Sequence, residues 1–369
     1  MEKNQPIGEQ AGDIYILSGD LGGTNIRLSL LKITDASFEK VHFKHLLTKN
    51  TRALAVELNE FLDEIPVNRE LVRVGIISIA APVFDDGICP LMIDAIHWGE
   101  IREKDIQEAT GIKVIRLLND AVAQGYGTLN IPQELTRCIY DPSDNGVTEL
   151  PADKIRLIYS VGTGLGFCMM SRPDESVPYY HYPSELGAIP LPLHNQNDRA
   201  FYKFLTDKDK KNIFQPSLSV LSGGCGLLYL LEFLLTRDEE SQKKYSNCPI
   251  LVENKLEDIQ PRMVCDYAKN MNDELCIEVL KYFLDHNAKT ISDQICLYLP
   301  LGGIFLSESV IQGMEFMFDR PDDKKHFIDV VQNIGAIEDL VKKIKITLIT
   351  AKDLAIRGCV NFGRQNKVF

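Results

Sequence analysis

The chain has 369 residues, 45% hydrophobic and 25% charged, with a formal net charge of −12. That length can fill the cores of two domains. The acidic balance excludes a general binder of nucleic acid or of anionic membranes, since phosphate contacts need clustered cations; it does not exclude a small anionic ligand held by backbone N–H groups and Mg2+.

Residues 1–13 (MEKNQPIGEQAGD) contain no apolar run and read as a short flexible lead-in rather than a signal peptide. Two apolar strands follow, Ile14 to Leu17 and Ile26 to Ile33, with SGDLGGTN between them, and Phe38 to Phe43 supplies a third strand. Thr51 to Leu62 carries apolar residues at helical spacing, with Pro66 beyond its end. Val72 to Pro82 has the continuous apolar character of a strand buried on both faces. A helix is predicted near Glu100 to Glu108, then a strand from Lys113 to Leu118 that ends at Asn119-Asp120. A further helix should begin after Asp120, and a polar connection, 141–146, leads to a strand from Ile155 to Val161. There a second glycine turn occurs, Gly162-Thr163-Gly164-Leu165-Gly166, and the chain resumes as a strand over Phe167 to Met170. Strand, glycine turn, strand thus appears twice, the pattern of two α/β domains built on related plans.

The most apolar block, Leu227 to Leu235, is too short to cross a bilayer and contains Glu232, so it reads as a core helix. The charged stretch after it, Thr236 to Asn247, reads as a solvated loop. The nine cysteines are scattered and none forms a CxxC pair, which favours buried reduced thiols over a zinc ribbon or a disulfide framework.

Four features carry candidate chemistry. Glycines without Cβ let backbone N–H groups approach a phosphate, and a neighbouring Thr hydroxyl adds a donor. A plain hairpin accounts for either glycine turn taken alone. An acid at Asp20 would repel phosphate directly, and makes sense if Mg2+ with its waters lies between the two. Asn119-Asp120 stands at the carboxyl end of a predicted strand, where open α/β sheets bind ligands. It fits either a helix cap or a base that takes a proton from a substrate hydroxyl.

GDLGGTN at 19–25, LLND at 117–120, VGTGLG at 161–166, PSELG at 183–187 and LSGGCGL at 221–227 occur in an order that resembles the bacterial-type glucokinases, sugar kinases of the actin-like ATPase superfamily. The resemblance runs from about residue 14 to 364 and implies an α/β, two-domain actin-like ATPase (ribonuclease H-like) fold with an interdomain cleft. It implies a smaller domain over 14–120, completed by a C-terminal helix within 352–369, and a larger one over 121–351. It also implies a cytoplasmic, homodimeric enzyme that uses ATP and Mg2+ to phosphorylate glucose or a related hexose, with no nucleic-acid or membrane partner.

By the same resemblance Asp120 matches the general base on the sugar 6-hydroxyl. Asn119, Glu185 and Gly187 match the sugar site. Asp20, Gly22, Gly23, Thr24, Asn25 and Arg27 match the first phosphate turn, with Asp20 reaching Mg2+ through water. Gly162, Thr163 and Gly164 match the second turn, and Gly302 and Gly303 match the adenosine side.

Three positions depart from the family pattern. Ala188 stands where a sugar-contacting His is usual. Leu218 or Ser219 stands where a second sugar-binding Glu is usual. Ser307-Glu308-Ser309 stands where a small-glycine-glycine run is common. The stretch 194–197 offers substitute sugar contacts but reads better as an exposed loop. These departures keep two further readings open: a kinase for another hexose, and a catalytically weak paralogue that senses sugar or nucleotide.

Overall fold

The computed structural model describes residues 14–35, 37–145, 154–208 and 215–369. The expected lead-in at 1–13 and Gly146 of the polar connection lie outside them. The chain forms two compact units, one running to Ile131 and resuming over Asp353–Phe369, the other Pro132–Lys352.

In the first unit, the described residues form a five-stranded sheet. Its strands are β1 (Ile14–Leu21), β2 (Asn25–Ile33), β3 (Phe38–Leu47), β4 (Val72–Ile79) and β5 (Val114–Asn119), in the order β3-β2-β1-β4-β5. The first three strands form an antiparallel meander, whereas β1, β4 and β5 run parallel. Period-two alternation sends Leu17, Leu21, Leu28, Ile77, Ile79 and Leu117 to one face. There they meet Leu58 and Phe61 of α1 (Leu54–Glu64) and Ile106 of α2 (Glu103–Thr110). The opposite face, with Ile16, Leu31, Ile76 and Leu118, packs on Ala123 of α3 (Asp120–Gly127) and on Ala355, Ile356 and Val360 of the C-terminal helix Leu354–Gln365. A sheet covered on both faces accounts for the unbroken apolar run in β4.

The C-terminal helix crosses α3 closely. A methyl group built on Gly358 would lie 1.6 Å from the Ala123 carbonyl oxygen, so only glycine fits there. Asn361 Nδ2 donates to the carbonyls of Tyr126 and Leu129 at 2.9 Å each, fixing the register of the crossing. This packing keeps α3 with the first unit, so the boundary falls after Ile131 where 120 was expected.

The second unit repeats the strand plan. Its strands are β6 (Thr136–Tyr140), β7 (Arg156–Val161), β8 (Leu165–Ser171), β9 (Tyr180–Ser184), β10 (Ile304–Ser307) and β11 (Ile346–Ile349), in the order β9-β8-β7-β10-β11-β6. β7, β8 and β9 form the meander, and β7, β10 and β11 run parallel. Helices α4 (Gln196–Lys208), α5 (Leu218–Ser222), α6 (Gly224–Thr236), α7 (Glu239–Tyr245), α8 (Pro261–Met271) and α9 (Glu274–Tyr298) build much of the remaining core.

One expected loop is helical, and a second is a loop only up to Asn195. Within 236–247 lies α7, capped by Asp238, whose side chain accepts from Ser241 N at 2.7 Å. The stretch 194–197 leads into α4, where Asp198 Oδ2 accepts from His194 N at 2.9 Å and from Asn195 N at 3.1 Å. Among the described residues no helix is long and apolar enough to cross a membrane.

Candidate active site

In the first unit the turn between β1 and β2 is closed by Gly22 N donating to Asn25 O at 2.9 Å. Thr48, fully buried, braces it from the end of β3. Its Oγ1 donates to Gly22 O at 2.7 Å, and its N–H donates to Thr24 O at 3.1 Å. Asn25 Oδ1 lies 2.8 Å from His45 Nε2. No sequence signal singled out Thr48, whose role depends on β3 folding back beside β2.

Asp20 and Arg27 are direct cross-strand partners beside this turn, and Arg27 Nη1 donates to Asp20 Oδ2 at 2.8 Å. Burial pushes the Asp20 carboxyl above the ordinary carboxylate range, against the opposing pull of Arg27.

The three parallel strands bring the other acid to the same edge. Leu21 of β1 pairs with Ile79 of β4, and Ile79 pairs with Asn119 of β5. Their carboxyl ends are therefore level, and β1 and β5 stand about 10 Å apart, two strand spacings. Asn119 Oδ1 accepts from Ala121 N at 3.0 Å and from Val122 N at 3.3 Å, while its Nδ2 donates to Ala81 O at 3.2 Å. Asn119 is thus the N-cap of α3. Asp120, the first helical residue, is half-buried and takes the Ala121 N–H on Oδ1 at 2.8 Å. The capping role weighed for the pair belongs to Asn119.

In the second unit, Gly162 N donates to Gly164 O at 3.0 Å, and Gly224 N at the start of α6 donates to Gly162 O at 2.9 Å. The motifs GTGLG and LSGGCGL are therefore hydrogen-bonded to each other. Ser219 Oγ accepts from Leu165 N at 3.3 Å. A methyl group on Gly187 would lie 2.1 Å from that Oγ and 2.9 Å from Leu165 O. Gly187 is a glycine because the turn carrying Glu185 is pressed against Ser219 and the start of β8. Of the two candidates for the usual second Glu, Leu218 is buried in the core and Ser219 faces this cluster. Glu185 and Ala188 are exposed.

Gly302 and Gly303 do not join the second turn. They precede β10, where Gly302 N donates to Ile155 O at 2.8 Å and Gly303 has φ +103°. β10 runs parallel to β7, with Ile304 opposite Leu157 and Ser307 opposite Ser160. The two glycines therefore sit at the amino edge of the sheet, about 13 Å of strand away from the edge where the turn 162–164 follows β7. At that carboxyl edge stand Ser307, whose Oγ is 2.8 Å from Ser160 Oγ, and Glu308. A four-residue strand intervenes between the glycine pair and the turn, and the motif alone did not reveal its direction.

Among the described residues no three His, Cys, Asp or Glu side chains cluster as an all-protein metal cage. A lone carboxylate such as Asp20 suits Mg2+, which keeps several waters and is commonly bound through one or two carboxylates and substrate phosphates.

A family model described as Glucokinase matches residues 17–366. The glucokinase of Rhizobium etli (strain CIAT 652) is 23% identical over 350 residues, covering 95% of this chain and 91% of that protein. Among solved structures, glucokinase from Balamuthia mandrillaris in complex with glucose has a TM-score of 0.75 at 16% identity, covering 96% of this chain and 94% of that one. A ROK family glucokinase from Streptomyces griseus in complex with glucose and AMPPNP has a TM-score of 0.66 at 13% identity, covering 95% and 99%. The actin-like ATPase fold implied by the sequence motifs is the fold these structures share.

Proposed function

The chain belongs to the glucokinase family, and from that premise we propose that it transfers the γ-phosphoryl group of ATP to the 6-hydroxyl of glucose. The observation that carries the reading is the level carboxyl edge of β1, β4 and β5, which sets Asp120 beside the strand end that bears Asp20 and the first glycine turn. Asp120 takes the proton of the 6-hydroxyl as that oxygen attacks the γ-phosphorus. The phosphoanhydride bond breaks and its electrons leave with ADP. A positioned base of this kind contributes about 10²–10⁴-fold, and the rest of the barrier falls to alignment and charge neutralisation.

Backbone N–H groups of Gly23, Thr24 and Asn25 and of Thr163 and Gly164 supply the phosphate donors, with the hydroxyls of Thr24 and Thr163, while the N–H groups of Gly22 and Gly162 close the two turns. Bound Mg2+ would neutralise phosphate charge, with Asp20 reaching it through water. Asp20 fits that task because its half-buried carboxylate gives one oxygen, Oδ2, to Arg27 and has a second oxygen, Oδ1, to offer a metal-bound water. Glu185 and the turn at Gly187 bind sugar hydroxyls. Asn119 holds the first turn of α3 and keeps one Nδ2 proton beyond the Ala81 bond for a ring hydroxyl.

A coupled assay of glucose phosphorylation with Mg-ATP, run beside Asp120→Asn, tests the reading. Activity that falls at least about 100-fold in the variant supports it. Near-wild-type turnover in Asp120→Asn removes Asp120 as the base. A second reading, another hexose, is favoured by one observation: Ala188 and Ser219 carry neither the imidazole nor the carboxylate usual for glucose. Rates on a hexose panel decide between them, and sugar or nucleotide binding without turnover on any hexose would leave a sensing protein.

A further inference from the structure

Glu308 is an acid at a turn read as a phosphate cradle, and the proposed reaction gives it no task. Its position is fixed from both sides. Before it, Ser307 is paired to Ser160 across β10 and β7. After it, Gln312 N donates to Glu308 O at 3.0 Å, opening the short helix α10 (Ser309–Gly313). Between these anchors Glu308 adopts φ 81° and ψ 166°, a conformation populated almost only by glycine. The side chain is laid against the second glycine turn: a methyl group built on Gly162 would lie 3.5 Å from both Cβ and Oε2 of Glu308. A glycine would satisfy this backbone without cost, yet the chain carries a carboxylate there.

Resting on the nucleotide reading of that turn, we propose that Glu308 is a specificity residue for the state of the phosphoryl donor. It excludes a triphosphate whose charge is not neutralised by a divalent cation, so that the site accepts the metal complex and rejects the free nucleotide. A carboxylate a few ångströms from a phosphate chain is strongly repelled where water is sparse. Complexation by Mg2+ removes two of the negative charges that Glu308 would face. Free ATP would otherwise occupy the same backbone donors without being able to react.

The test is calorimetric binding of ATP with EDTA and of ATP with excess MgCl2 to the wild-type protein, Glu308→Gln and Glu308→Gly. Glu308→Gln keeps the shape and removes the charge. Glu308→Gly suits the positive φ, and so remains informative if the glutamine variant folds poorly. Both variants should bind metal-free ATP at least about tenfold more tightly, with Mg-ATP changed by less than about threefold. The same selectivity should show in kinetics, free ATP becoming a stronger competitor of Mg-ATP. An equal change for both forms, or no change, overturns the role of Glu308 while leaving the nucleotide site in place. Failure of all three proteins to bind either form overturns the nucleotide reading of the turn and this inference with it.

Discussion

Asp20 and Arg27 face each other across β1 and β2, with Arg27 Nη1 giving its proton to Asp20 Oδ2 at 2.8 Å. Arg27 opposes the burial that raises the Asp20 pKa, so removing it raises that pKa further. A carboxyl with a folded pKa above its unfolded one loses stability as pH climbs from the unfolded to the folded value. Arg27→Gln is therefore expected to destabilise more at pH 7 than at pH 4, by about 1–2 kcal/mol at pH 7 given that Arg27 is partly exposed. Urea midpoints at the two pH values check this. A loss that is equal at both would show that removing Arg27 leaves the titration of Asp20 unchanged.

Asn119 and Asp120 separate stability from chemistry. Asn119→Ala removes the cap that holds Ala121 N and Val122 N and should cost about 1 kcal/mol. Asp120→Asn retains an oxygen for Ala121 N and should leave the melting temperature near its wild-type value while turnover collapses. Thermal melts of both variants, set beside the assay, would expose the opposite assignment if Asp120→Asn melted early.

Gly187 and Ser219 should couple. Gly187→Ala drives a methyl group to within 2.1 Å of Ser219 Oγ, displacing the turn that presents Glu185 and raising the KM for sugar. Adding Ser219→Ala removes the nearer clash and should restore part of the loss, a coupling of about 0.5–3 kcal/mol. Additive effects of the two substitutions would mean that the turn is held by other contacts.

His286, on α9, is buried, and neither ring nitrogen has a hydrogen-bond partner among the described residues. Its neighbours include His194, with ring centroids 5.9 Å apart, Lys289 and Asp285. Burial lowers its pKa from 6.5 to about 3, helped by His194 and Lys289 and opposed by Asp285. Between those values the unfolded chain binds the proton and the folded chain does not, so stability falls as pH drops below 6.5. The slope this group contributes approaches about 1.4 kcal/mol per pH unit. His286→Leu should flatten the loss between pH 6.5 and 4.5 in denaturant titrations. An unchanged slope would assign the acid sensitivity to other groups.

The sequence made some of this legible and hid the rest for physical reasons. The glycine turns were readable because each sits between apolar strands, and Asn119-Asp120 because an apolar strand ends there. Which of the two caps the helix was not readable, since both residues are good caps and only the hydrogen bonds show Asn119 in that place. Likewise α7 looked like a loop because its charges cover an exposed surface, while the buried pair Ser241 and Tyr245, four apart, is too short a period to stand out. The pair Gly302-Gly303 was visible as glycine, but glycine does not say on which edge of a sheet it will lie. Ser219 and Thr48 act through partners far away in the chain, and no local pattern announces them.

The helix Leu354–Gln365 completes the first unit, although every residue of the second unit precedes it in the chain. On the ribosome, where domains fold as their segments emerge, the second unit therefore has all its strands before the first unit has its final helix. Until Gly358 can slide against Ala123, the apolar face formed by Ile16, Ile76 and Leu118 waits without its cover. The unit begun first is the one finished last, and a nascent chain halted before Asp353 would expose that face to chaperones.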